Sequence, residues 1–133
     1  MNWTRFVLAV LASGIGISIS DWVFMGMLFH SKYKQHPEVW RDPPGTSEMP
    51  KIIWSTLMGF VSAAVFIYLA NRLDFESYEA ALKLAVAIWV IGPLPLIIGN
   101  AMWIKFPKEL AISHSLGWLA KLIIAALAYK LIL

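Results

Sequence analysis

Residues Phe6–Phe29 read FVLAVLASGIGISISDWVFMGMLF, a run of 24 positions whose one charged residue is Asp21. A bilayer core is spanned by about 20 mostly apolar residues in helical form, so this run is long enough. It is too long for the apolar region of a signal peptide, which takes about 7–15 residues. Three further runs follow: IIWSTLMGFVSAAVFIYLA (Ile52–Ala70), ALKLAVAIWVIGPLPLIIGNAMWI (Ala81–Ile104) and LAISHSLGWLAKLIIAALAYKLIL (Leu110–Leu133). None alternates with period two, which excludes the strands of a membrane barrel. Helices remain, because lipid offers no partner to an open backbone group.

Composition agrees with this reading. The chain has 133 residues, 59% of them hydrophobic and only 14% charged. A typical soluble domain carries about 25% charged residues, and so small a soluble chain could not hide this much apolar surface. The expected fold is all-α: an integral membrane four-helix bundle in a single domain, residues 1–133. Its spans cover about 6–29, 52–70, 81–104 and 110–133, with a long polar loop over 30–51. The third span contains Pro93 and Pro95, each of which removes a backbone donor, so a kink or break is expected there.

The net charge of +3 sits at the ends of the apolar runs rather than in a stripe, which suits lipid headgroups and excludes nucleic acid. Loops one and three hold Lys32, Lys34, Arg41, Lys51, Lys105 and Lys108; the opposite side holds Arg5, Arg72, Lys83 and Lys130. This excess assigns loops one and three to the cytoplasm. Trp3, Trp54 and Trp103 stand at span ends, as interfacial aromatics do, whereas Trp22, Trp89 and Trp118 lie deeper and are expected between helices. With no cysteine there is no disulfide framework and no thiolate metal site. No phosphate loop, nucleophile elbow or zinc spacing occurs, and His30, His36 and Glu38 match no metal motif. No catalytic, cofactor or metal residue is assigned.

The informative residues are polar and deep. Asp21 lies eight residues before Phe29, about 12 Å below the loop-one face at 1.5 Å per residue. Lys121 lies eleven residues after Leu110, about 17 Å below the same face. His114 precedes Lys121 by seven residues on one helix face, and Asn100 belongs to the same leaflet. Asp21, Asn100, His114 and Lys121 are therefore expected to converge, with Asp21 paired to Lys121. A charge at the bilayer centre costs about 2.5–3.5 kcal/mol on insertion scales, so such residues face the bundle interior and mark candidate sites. The cluster reads either as a site that binds or transports a small solute or protons, or as a clamp in a non-catalytic membrane subunit or scaffold. Small residues at four-residue spacing (Gly14 and Ser18; Ser55, Gly59 and Ala63; Ser113 and Gly117) mark close helix contacts. These contacts join helices within one chain or between partners, and transport through four helices calls for a homodimer.

Several patches carry a family resemblance. Helix one has Trp22 and then Leu28-Phe29, followed by a polar loop with Trp40. Helix three reads WVIGPLPLIIGNAMW, and helix four opens on ISHSLGW and runs out apolar. In layout and in these patches the chain resembles a widespread bacterial family of four-helix membrane proteins, the domain-of-unknown-function family seventeen-sixty-one. The resemblance implies a multi-pass protein of the bacterial inner membrane. It brings no activity and no site residues.

Overall fold

The computed structural model describes residues 1–133. Its regular structure is all helical, and four helices are long and apolar enough to cross a membrane: Trp3–Leu28, Met49–Arg72, Tyr78–Trp103 and Lys108–Ile132. Each begins two to three residues before the expected start, because the polar residues ahead of each apolar run serve as its first turn or cap.

The first span starts as α1 (Trp3–Asp21), capped by the Asn2 side chain, which accepts from the Arg5 amide at 3.1 Å. It does not continue as a plain α-helix. From Trp22 to Leu28 the chain winds as a π-helix. The wider turn aligns residues five apart, so Phe24 and Phe29 stack with centroids 6.3 Å apart and planes 8° from parallel. The Phe29 amide correspondingly donates to the Phe24 carbonyl at 3.0 Å. Ring stacking at this spacing gives the irregular winding a physical reason. The π turn also leaves Trp22 on the outside, 63% exposed, where an interhelical position was expected.

Loop one folds back as a short helix, α2 (His30–Lys34), and a 3₁₀ turn at Pro37–Val39. The second span, α3 (Met49–Arg72), has Pro50 in its first turn, where the missing N–H needs no partner. Lys51 at its start forms an ion pair with Asp42 of the loop. Asp74, at φ 52°, turns the chain out of α3. The next helix, α4 (Tyr78–Ile91), is capped by Ser77, whose hydroxyl accepts from the Ala80 amide at 3.1 Å.

The third span breaks at Gly92 (φ −118°, ψ −90°) and resumes as α5 (Pro93–Trp103). Both prolines fall in the first turn of α5, which tolerates them. The break leaves the carbonyls of Trp89 and Ile91 without the donors that residues 93 and 95 would supply in a continuous helix.

The fourth span, α6 (Lys108–Ile132), is the axis of the bundle and packs against α1, α3, α4 and α5. On one side α1 and α3 also pack on each other; on the other side α4 and α5 rest on α6. Small residues set these contacts within the chain. The Phe60 ring fills the place where a Gly14 side chain would be, Gly59 meets Ile17, and Gly117 faces Phe24. Toward loop two the core is Ala9, Phe66, Ile67, Ala70, Ala81, Ala85, Leu122, Ala125, Ala126 and Tyr129. There Tyr129 and Lys130 both donate to the Phe75 carbonyl, at 3.3 and 3.2 Å, and tie the end of α6 to loop two.

Candidate functional site

Asp21 is the last residue of α1 before the π turn, and Lys121 stands near the middle of α6. Lys121 Nζ lies 2.8 Å from Asp21 Oδ1, with the two side chains 18% and 28% exposed. The ammonium also sits 5.1 Å from the centroid of the Trp118 ring, one turn earlier on α6. Asp21 is the one carboxylate in the chain that lies well inside a span. At this depth an unpaired charge is costly, and the pair together with the ring face offsets that cost.

The pairing leaves both partners with unused capacity. An ammonium has three N–H donors and a carboxylate two acceptor oxygens. One donor and one oxygen meet in the pair, and Lys121 makes no other hydrogen bond to the protein. Lys121 also lines a half-open groove of about 280 Å³ between α3 and α6, with Trp54, Ser55, Met58, Gly59, Ser62 and Trp118. The Ser62 hydroxyl is committed to the Met58 carbonyl at 2.9 Å.

Tyr33, from α2, is the residue that the sequence did not flag. It is only 6% exposed. Its hydroxyl donates to Ser113 Oγ at 3.2 Å, and its ring packs on Trp40 at 5.7 Å and His114 at 6.0 Å. The Trp40 indole donates in turn to the Tyr33 carbonyl at 3.3 Å. Burial pushes the Tyr33 phenol above its usual range; the bond to Ser113 opposes this and the Asp21 carboxylate adds to it. The one advance sign was a Tyr between two Lys close after a span, which does not distinguish a plug from an exposed loop.

His114 and Asn100 are placed differently from expectation. The His114 ring packs between Tyr33 and Phe106, 5.6 Å from the latter, with an outer edge exposed. Asn100 does not join the cluster. The joint at Gly92 redirects α5 and leaves Asn100 on an exposed face. Neither side chain takes part in a hydrogen bond. The buried hydroxyl beside His114, that of Ser113, accepts from Tyr33 instead. Pro93 and Pro95 form the helix break, away from the ion pair in sequence and on the far side of α6 from α3.

In loop one, His36 Nδ1 lies 3.0 Å from Glu38 Oε1, and its Nε2 lies 4.0 Å from Glu109 Oε2 at the start of α6. The Glu38 carboxyl is held below its usual range, first by its own backbone amide and then by His36. This clasp fastens the loop over the polar end of the bundle.

The family model described as protein of unknown function, DUF1761, matches residues 8–129. No curated protein and no solved structure matches the chain.

Proposed function

The chain belongs to the DUF1761 family, and we propose that this multi-pass membrane protein binds a small solute at the Asp21–Lys121 pair and passes it, or a proton, through the membrane. One observation carries the reading: the Lys121 ammonium, paired at depth with Asp21 and with donors unspent, lines an open groove. A pair kept only as a clamp would be closed on every side, because unfilled hydrogen-bonding capacity is expensive in lipid. Asp21 and Lys121 are the binding residues, and Trp118 holds the ammonium. Tyr33 fastens loop one to α6 through Ser113, two turns before Lys121. Passage requires alternating access, which a second copy of the chain would supply. Loops one and three face the cytoplasm of a bacterial inner membrane in this reading.

The test is co-purification. Native mass spectrometry of protein released from its own membranes should reveal a bound small molecule that Lys121→Met loses. A spectrum free of bound species other than bulk lipid, in several mild detergents, would count against the reading.

A second reading is a non-catalytic subunit that docks on another membrane protein. It is favoured by the outer face of α4, where Glu79, Leu82, Lys83, Val86, Ala87, Val90 and Ile91 border a shallow concavity of about 760 Å³ with no helix against it. The face ends at Ile91, beside the Gly92 break.

A further inference from the structure

The groove beside Lys121 restricts the chemistry of what it holds, given the binding site just proposed. Trp54 to Ser62 spans eight residues of α3, so the groove runs about 12 Å at 1.5 Å per residue, from near the loop-one face to the depth of Lys121. Its volume of about 280 Å³ falls just below the usual range of ligand pockets, which starts at about 300 Å³. A single-ring head fits; a large solute does not. The lining is flat and apolar at Trp54, Met58 and Trp118. Its polar groups are Lys121, Ser55 and Ser62, and Ser62 is already bonded to backbone. A sugar or other polyol would leave most of its hydroxyls unpaired in such a groove.

Charge narrows the class further. Asp21 already neutralises Lys121. An added carboxylate or phosphate would put an uncompensated negative charge at this depth, and a cation would meet Lys121. The spare N–H groups of Lys121 instead call for a neutral acceptor oxygen. The groove opens sideways between α3 and α6, where exposed Trp54 and Met58 flank it, so entry is from the lipid.

We propose that this groove binds the head of a flat, uncharged, carbonyl-bearing, lipid-soluble molecule of the benzoquinone kind. A ring carbonyl accepts from Lys121 Nζ, and the ring lies along Trp118 with its tail leaving past Trp54.

The probe is a tritiated benzoquinone with a ten-carbon tail, titrated into the full chain in nanodiscs, with empty nanodiscs as the partition blank. Saturable binding above the blank is expected, displaced by excess unlabelled quinone and not by laurate. Ser55→Trp fills the groove while removing neither charge of the ion pair and should weaken binding at least tenfold. Val65→Trp, on the outer face of the same helix, should leave it unchanged. Lys121→Met should also weaken it tenfold; should that variant not fold, Ser55→Trp decides. Absence of saturable binding, or wild-type affinity in Ser55→Trp, overturns the inference. Displacement by laurate overturns the neutral class while leaving a solute site in place. Failure of the co-purification experiment removes the site itself, so the two failures are distinguishable.

Discussion

The two ends of the bundle are built on opposite terms. Toward loop two, α1, α3, α4 and α6 meet through Ala9, Ala70, Ala81, Ala85, Ala125 and Ala126, all 0–1% exposed. Short side chains bring the backbones together, and dispersion holds them in the absence of a hydrophobic drive between helices. Toward loops one and three the helices meet through a charge pair, a tyrosine–serine bond and a π-wound turn. This end has a groove lined by a paired charge deep in a span, and the other is closed by alanine contacts. The contrast puts the tight packing at the alanine end and the proposed solute site at the polar end.

The largest test breaks the polar end alone. Lys121→Met leaves Asp21 unpaired at depth, and removing one partner of a buried pair costs about 3–5 kcal/mol; reversible unfolding in mixed detergent should record a loss of that size. Next is the alanine end. Ala126→Leu inserts bulk where backbones are close, with an expected loss of about 1–3 kcal/mol by the same measurement. A neutral result there would mean that this end is not tightly packed. Tyr33→Phe removes one hydrogen bond, worth about 1 kcal/mol, and should alter the alkaline limb of stability. The Tyr33 pKa is raised in the folded state from 10.0. Its contribution is therefore complete below pH 10 and is lost as pH climbs through the folded value. Wild type should weaken above pH 10 more steeply than Tyr33→Phe. The smallest effect belongs to the Glu79–Lys83 pair on the outer face of α4. At 2.6 Å and 75% exposure for both side chains, Glu79→Gln should change stability by less than about 0.5 kcal/mol.

Much of the frame was legible because a bilayer sets both length and winding. Four apolar runs gave four spans, and two prolines gave the break at Gly92. Fixed rise per residue put Asp21 and Lys121 at similar depth, and the structure sets them 2.8 Å apart. Counting along a helix does not report its rotation after a joint, so Asn100, beyond Gly92, was expected inside and lies outside. Nor does it foresee a π turn, which depends on whether Phe24 and Phe29 can stack; this displaced Trp22 to the surface. Tyr33 was hidden for a related reason. A loop residue is buried only when the chain folds back, and Ser113, which accepts its hydrogen bond, is 80 residues away in sequence.

The double-mutant cycle on the ion pair weighs the two ends most directly. Asp21→Asn, Lys121→Met and the double variant are compared by unfolding free energy in one detergent. If the polar end is retained for solute binding rather than for stability, each single variant is destabilised while the double is at least as stable as wild type. A double variant as destabilised as either single would mean that the pair itself contributes net stability, as a structural clamp does, and would contradict the division of labour between the two ends.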